Sequence, residues 1–137
     1  MGRRAHVLFI EDEEYRNDKM IRFLRANGLE VSLAGTLSEA LSAAQSGNYG
    51  CILLDVMIPP GEGENSESEA LTAGVEFLRR LRGGALPGAD AQTPVIVLTG
   101  RPEAAVEEEM RALGLDAFLN KPESMKVVLS TIQKAIA

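Results

Sequence analysis

Short runs of apolar residues recur along the chain, and each has the length of one buried strand. The four continuous runs are His6 to Ile10, Cys51 to Leu54, Val95 to Leu98 and Ala117 to Leu119. A continuous run, unlike an alternating one, is typical of a strand that is covered on both faces. The segment Glu30 to Ala34 alternates instead, which places this strand nearer an edge of the sheet.

Apolar residues at helical spacing lie between and after these runs, and they predict five helices. The first helix is predicted from about Glu13 to Ala26, with Asn27-Gly28 as its stop. Thr36 and Glu39 have the spacing of a capping box at the start of the second. The other three helices are marked by Leu71, Val75, Leu78 and Leu81, by Val106, Met110 and Leu113, and by Val128, Leu129, Ile132 and Ile136.

The regular alternation of strand and helix predicts one α/β domain over residues 1–137. Successive parallel strands need crossover helices, so the sheet is expected to be open and doubly wound, with helices on both faces. In sheets of this kind the functional crevice lies at the carboxyl ends of the strands. Residues that carry chemistry should therefore follow the strands directly.

Composition narrows the class of protein further. The net charge of −6 disfavours direct binding to nucleic acid or to an anionic membrane. The sequence contains no apolar stretch long enough for a signal peptide or a membrane span, so no membrane insertion is expected. Cys51 is the only cysteine, which excludes an intrachain disulfide and suits a reducing compartment. We therefore expect a cytoplasmic protein.

Polar residues do follow the strands. Glu11 and Asp12 come after the first, Asp55 after the third, Thr99 ends the fourth, and Lys121 follows the fifth. Carboxylates brought together raise one another's pKa, and a hard cation such as Mg²⁺ relieves their repulsion. Lys121 can neutralise a phosphate oxygen or a carboxylate, and the Thr99 hydroxyl can donate to the same oxygen. This set predicts a Mg²⁺ and phosphate site, with phosphoryl transfer to an aspartate.

Five sequence motifs around these residues resemble those of a known family. They are "VLFIEDEE", "CILLDVMIP", "GVEFLRRLR", "TPVIVLTG" and "DAFLNKP". In this order and over essentially the whole chain, they resemble the receiver domain of the two-component response-regulator family. The resemblance implies a flavodoxin-like fold, with five parallel strands in the order 2-1-3-4-5.

The resemblance also implies a role for each residue at the strand ends. Asp55 would be the phosphoacceptor, and Lys121 would contact the phosphoryl group. The ligands of Mg²⁺ (or Mn²⁺) would be Glu11, Asp12, Asp55 and the backbone carbonyl of Met57, with Asp12 favoured over Glu11 as the direct ligand. Thr99 would be the switch hydroxyl and Phe118 the switch aromatic. Met57 and Arg101 would flank the phosphoryl group and modulate its lifetime.

A function follows from the resemblance. The domain would accept a phosphoryl group from a sensor histidine kinase or a phosphotransfer protein, and its surface for a downstream protein target would change. It would not be an enzyme beyond its own phosphorylation and slow autodephosphorylation. No further module follows Ala137 in this sequence, so output by protein contact is expected unless the chain is part of a longer protein. A homodimer is left open.

Other interpretations remain open on sequence grounds. Taken singly, Glu11-Asp12 could be an acidic helix start and Asp55 a helix cap. Taken together, the residues also fit a binding module that switches without phosphate, or a small Mg²⁺-dependent phosphohydrolase. The hydrolase is disfavoured because no second acid is positioned beyond Asp55 as a general acid.

The polar, acidic tract after Asp55 is expected to form an extended loop at about residues 60–73. We interpret it as an acidic flap that modulates partner choice or phosphate access rather than the chemistry. A tolerated surface insertion is the alternative to that interpretation. A third helix that starts near Ser66 would absorb part of the tract.

Overall fold

The computed structural model describes residues 5–12, 17–56, 58, 67–100, 103–121 and 124–137, with the backbone alone described for 67–72. The strands are β1 (His6–Ile10), β2 (Glu30–Ala34), β3 (Cys51–Leu54), β4 (Val95–Thr99) and β5 (Ala117–Asn120). The helices are α1 (Asp18–Ala26), α2 (Leu37–Ser46), α3 (Glu67–Arg82), α4 (Ala104–Leu113) and α5 (Met125–Ile136).

All five strands are parallel and pair in the order β2-β1-β3-β4-β5. This confirms the predicted doubly wound, flavodoxin-like topology, and the alternating segment is β2, one of the two edge strands, as its pattern indicated. β1 and β3 lie inside the sheet, and their last residues, Ile10 and Leu54, are aligned with each other. The residues that follow these two strands therefore emerge next to one another.

Apolar side chains fill the space on both faces of the sheet. One face packs against α2, α3 and α4 through a cluster that includes Leu8, Ile52, Ala40, Phe77 and Met110. The opposite face packs against α1 and α5 through a cluster that includes Phe9, Leu53, Ile21, Leu24 and Ile132. Burial on both faces explains why β1, β3 and β4 are continuously apolar. The prediction that Ala117 to Leu119 is a buried strand is wrong, because β5 lies at an edge of the sheet and is only partly buried. No helix in the described part of the chain has both the length and the apolar character of a membrane span.

The predicted cap of the second helix is confirmed by its hydrogen bonds. The Thr36 hydroxyl accepts from the Glu39 backbone N–H at 3.1 Å. The Glu39 carboxylate in turn accepts from the backbone N–H of Gly35 at 2.7 Å. These two bonds satisfy donors that the helix itself leaves without partners, so they fix where α2 begins.

Two predicted boundaries differ from the structure or fall outside it. α3 begins at Glu67, so residues 67–73 belong to the helix and not to the predicted loop, in agreement with the alternative of a helix that starts near Ser66. The tract there contains Glu, Ala and Leu, which are good helix formers, and these outweigh its polar character. The rest of the predicted loop, and residues 13–16 of the predicted first helix, lie outside the described residues.

Arg82, the last residue of α3, joins three segments of backbone. Its Nε donates to the carbonyl of Gly114 at 3.1 Å, and its Nη1 donates to the carbonyls of Ala91 at 2.8 Å and Thr93 at 2.7 Å. Burial lowers the pKa of Arg82, and two nearby aspartates partly offset this effect. Arg82 therefore ties the end of α3 to the segment before β4 and to the end of α4.

Replacement of Arg82 by alanine is expected to lower the free energy of unfolding by about 2 kcal/mol, because three carbonyls lose a charged donor. Urea denaturation measures the loss. Arg80→Ala is the matched control, since the side-chain contact described for Arg80 is a half-exposed ion pair with Glu76, and its loss should change stability by about 0.5 kcal/mol or less. Equal losses in the two variants would show that the backbone contacts of Arg82 are unimportant.

Candidate functional site

The backbone ladder at the carboxyl end of the sheet determines where the acids lie. The N–H of Glu11 donates to the carbonyl of Ala34, at the end of β2, at 2.9 Å. The N–H of Asp55 donates to the carbonyl of Ile10, at the end of β1, at 3.0 Å. Both acids are therefore held by the last hydrogen bonds of the sheet, and the convergence expected from topology is observed.

The carboxylates of Glu11, Asp12 and Asp55 form one cluster. Each offers an oxygen, and the three oxygens lie within 4.8 Å of one another. Glu11 and Asp55 are buried, with 4% and 8% of their surface exposed, whereas Asp12 is exposed. Three clustered carboxylate oxygens, open to water on one side, match the ligand set of a hard divalent cation that retains several waters. The residues present therefore fit Mg²⁺.

Lys121 directly follows β5, and its side chain extends to the carboxylate cluster. Its Nζ donates to Glu11 Oε2 at 2.6 Å and to Asp55 Oδ2 at 3.2 Å. Burial alone would lower the pKa of Lys121. The hydrogen bond to Glu11 and the charges of Asp55 and Glu11 outweigh burial, so the pKa is raised above its usual value. Lys121 is therefore charged at neutral pH, and it partly neutralises both buried carboxylates.

Thr99 lies beside Lys121 at the end of β4. It is 1% exposed, and its carbonyl accepts from the backbone N–H of Lys121 at 2.6 Å. Thr99 is also paired with Asn120 in the ladder between β4 and β5. The sheet thus brings the hydroxyl residue and the lysine to neighbouring strand ends, next to the acids.

Phe118 lies on β5, outside the carboxylate cluster, and packs against the core between the sheet and α4. The guanidinium carbon of Arg111 lies 5.9 Å from the centroid of the Phe118 ring. Arg111 Nε also donates to Glu107 Oε2, one helical turn earlier on α4, at 2.8 Å. An ion pair on α4 therefore covers the ring of Phe118.

The structure brings together Glu11, Asp12, Asp55 and Lys121, with Thr99 on the adjoining strand end. Met57 and Arg101 lie outside the described residues. The contact of Arg111 with Phe118 was not foreseen. The spacing of Glu107 and Arg111 signals an i,i+4 ion pair on a helix, but no pattern in the sequence indicates that this pair faces an aromatic ring on a strand.

Comparison with known proteins identifies the family of this chain. The family model described as "Response regulator receiver domain" matches residues 7–133. The chain belongs to this family. The match confirms the resemblance carried by the five sequence motifs, and it identifies the domain as a receiver of two-component signalling.

Curated relatives of the receiver domain are longer proteins. The "Uncharacterized transcriptional regulatory protein YkoG" of Bacillus subtilis is 32% identical over 133 residues, which are 97% of this chain and 51% of that protein. The transcriptional regulatory protein SrrA of Staphylococcus aureus is 28% identical over 127 residues, 93% of this chain and 46% of that protein. The chain thus spans about half the length of the curated relatives it matches.

Solved structures confirm the fold. The chemotaxis response regulator CheY4 of Vibrio cholerae has a TM-score of 0.76 at 27% identity, covering 96% of this chain and 98% of that one. The receiver domain of the Francisella response regulator 1452 has the same TM-score at 24% identity, covering 96% and 95% of the two chains. At this lower identity the Francisella protein supports the fold alone.

Proposed function

We propose that this receiver domain is a switch in which Asp55 accepts a phosphoryl group from a histidine kinase or a phosphotransfer protein. The observation that carries the proposal is the contact of the Lys121 ammonium with both Glu11 and Asp55, beside Asp12. One charged lysine and three clustered acids supply a carboxylate nucleophile together with positive charge for a phosphoryl group.

In the proposed reaction an Asp55 carboxylate oxygen attacks the phosphorus of a phosphohistidine. The new O–P bond forms as the P–N bond breaks, and the bonding electron pair returns to the histidine nitrogen. Lys121 Nζ, 3.2 Å from Asp55 Oδ2, is close enough to donate to an oxygen of the transferred group. Held by Glu11, Asp12 and Asp55, Mg²⁺ (or Mn²⁺) would neutralise negative charge on these acids and on the phosphoryl oxygens.

The proposed readout is a change in the binding surface. The aspartyl phosphate carries a charge of about −1.5 to −2, where Asp55 carried −1. Thr99, buried at the neighbouring strand end, is the proposed hydroxyl that turns toward the new phosphate. Phe118 is the proposed aromatic that follows it, and its movement would break the contact with Arg111 on α4. The face formed by α4 and β5 would then differ between the two states.

The partners belong to the same proposal. The donor is a sensor histidine kinase or a phosphotransfer protein, and the receptor of the signal is a downstream protein. The relatives are named as transcriptional regulators, but we propose that this domain itself does not bind nucleic acid, because its net charge is −6. Homodimerisation stays open. A cytoplasmic location is proposed, in keeping with one free, buried cysteine.

Two further residues complete the proposal. The backbone carbonyl of Met57 is the proposed additional metal ligand, and the side chains of Met57 and Arg101 are the proposed modulators of phosphate lifetime. Beyond accepting the phosphoryl group and losing it slowly to water, the domain is not proposed to catalyse a reaction.

Incubation with a small phosphoryl donor and Mg²⁺ is expected to add one phosphoryl group to the intact protein, as measured by mass spectrometry. The adduct should not form when a chelator replaces Mg²⁺, because the clustered carboxylates then repel the donor. Lack of any adduct with Mg²⁺ present would instead favour a binding module that switches without phosphate. Catalytic turnover of donor without an accumulating adduct would favour a phosphohydrolase.

A further inference from the structure

Gly74, in α3, packs directly against the backbone that follows Asp55. A Cβ atom built on Gly74 would lie 2.5 Å from the carbonyl oxygen of Val56, 3.0 Å from its Cα and 3.1 Å from its carbonyl carbon. Real Cβ atoms essentially never approach another heavy atom closer than 3.0 Å. All three atoms belong to the backbone, so no change of side-chain rotamer can relieve the overlap.

Conformation does not require glycine at this position. Gly74 lies inside α3 and is not among the glycines with positive φ. Glycine inside a helix is a poorer helix former than alanine, so on propensity alone alanine would be preferred. The close approach of α3 to Val56 is therefore the property that only glycine allows.

The segment that Gly74 touches cannot easily move aside. The side chains of Val56 and Ile58 are both fully buried, in the same apolar cluster as Ala73 and Val75. On its other side the segment is held by the hydrogen bond from the N–H of Asp55 to the carbonyl of Ile10. Val56 is thus fixed between the core, the end of β1 and α3.

A displacement of Val56 would also move Asp55, and with it the acid cluster, because the two residues are adjacent in the chain. Relief of the overlap requires the 2.5 Å separation to grow beyond 3.0 Å, a movement of about 0.5 Å. Constellations of this kind need their groups held to within about 0.5 Å of the productive geometry. The contact of Asp55 with Lys121, and the spacing of Asp55 from Glu11 and Asp12, depend on the same backbone.

We propose that Gly74 is a positioning residue for Asp55: its missing side chain lets α3 seat the segment after β3 so that the Asp55 carboxylate meets Lys121 and the other two acids. The expected effects of Gly74 on Mg²⁺ binding and on phosphorylation rest on the function proposed above. The structural part of the proposal, the placement of Asp55, stands separately.

Gly74→Ala tests the proposal, with Ala73→Gly as the matched control. In Gly74→Ala we expect hydrogen exchange of the Asp55 amide to accelerate more than that of other core amides, measured by NMR without donor. We also expect roughly tenfold weaker Mg²⁺ binding by calorimetry and phosphorylation by a small donor slowed by about 10²-fold. Ala73→Gly weakens the same helix and removes a buried methyl group, so it should be less stable yet keep the wild-type Mg²⁺ affinity and phosphorylation rate. Its Asp55 amide should exchange faster only to the extent that the other core amides do.

Each outcome bears on the proposal. Wild-type values of amide exchange, Mg²⁺ affinity and phosphorylation in Gly74→Ala would overturn it, as would equal losses in Ala73→Gly. If the wild-type protein forms no adduct but Gly74→Ala still alters Asp55 amide exchange, the proposed function fails and the positioning role stands.

A second pair of variants covers the case in which Gly74→Ala does not fold. Val56→Ala shortens the buried side chain that clamps the segment, so the double variant Gly74→Ala/Val56→Ala should fold with the segment displaced. We expect it to be phosphorylated about 10²-fold more slowly than Val56→Ala alone. Equal rates in these two variants would refute the positioning role.

Discussion

Replacement of Asp55 by asparagine is expected to abolish the phosphoryl adduct while leaving the domain folded. The amide has the size and shape of the carboxylate but no anionic oxygen to attack phosphorus. Lys121 keeps its 2.6 Å contact with Glu11, so the lysine remains paired in the variant. Loss of one of three clustered charges also lowers their mutual repulsion, so stability should change little. Intact mass after incubation with a small phosphoryl donor and Mg²⁺ measures the result.

Asp116→Asn is the control for the Asp55 variant. Asp116 precedes β5 at the amino-terminal ends of the strands, on the side of the sheet away from the acid cluster. There its Oδ1 accepts from the N–H of Val95 at 3.1 Å. Asparagine keeps that acceptor, so this variant should be phosphorylated like the wild type. An adduct that survives in Asp55→Asn would place the phosphoacceptor on another residue and would reject the proposed role of Asp55.

Replacement of Lys121 by methionine should have a large effect on stability as well as on chemistry. Methionine retains the apolar length of the side chain but leaves Glu11, whose side chain is 2% exposed, and Asp55 without the ammonium. Removal of one partner from a buried ion pair costs about 3–5 kcal/mol, and we expect about 3 kcal/mol because Lys121 itself is 29% exposed. Phosphorylation by a small donor should also slow by about 10²-fold, since the lysine no longer stabilises the transferred charge.

Urea denaturation with and without Mg²⁺ measures the stability change in Lys121→Met. A divalent cation at the acid cluster replaces the missing positive charge, so Mg²⁺ should stabilise this variant more than the wild type. Lys126→Met is the control, because Lys126 is exposed on α5 and its loss should cost about 0.5 kcal/mol or less. If Lys121→Met were as stable as Lys126→Met without Mg²⁺, the ion pairs of Lys121 would contribute nothing.

The same lysine sets a dependence on pH. The pKa of Lys121 is raised in the folded protein above its usual value of 10.5. Its stabilising contribution is therefore fully present below the usual pKa, and it is lost as the pH rises through the higher folded-state value. The wild-type protein should lose this part of its stability in strongly alkaline solution, and Lys121→Met should lack that component of the pH profile.

Much of the fold could be predicted because a strand that is buried on both faces of a parallel sheet has a continuous apolar sequence. The run Cys51 to Leu54 is continuously apolar and is a central strand, whereas Glu30 to Ala34 alternates and is an edge strand. Because topology determines where such strands end, the meeting of Glu11 with Asp55 could also be predicted. The Thr36 cap was visible for a different reason, since it depends on residues only three positions apart.

Other features could not be predicted because they depend on distances between elements remote in sequence. The contact of Gly74 with Val56 depends on how closely α3 approaches the loop after β3. The periodicity of apolar residues in a sequence does not determine such a distance to within half an ångström. The hydrogen bond from Arg82 to Gly114 links positions 32 residues apart. A start of α3 near Ser66 stood only as an alternative to a loop, because a polar tract can be a helix or a loop until its packing is known.

The attachments of α4 are unequal along its length. Near its C-terminal end, Glu109 pairs with Arg79 of α3 at 2.6 Å, and Gly114 receives the hydrogen bond from Arg82. At the other end, nearer to Thr99, the described contacts include no side-chain hydrogen bond that caps the helix from Glu103. Both attachments join α4 to α3. A shift of α4 that follows a change near Thr99 would therefore pass to α3 through Arg79 and Arg82.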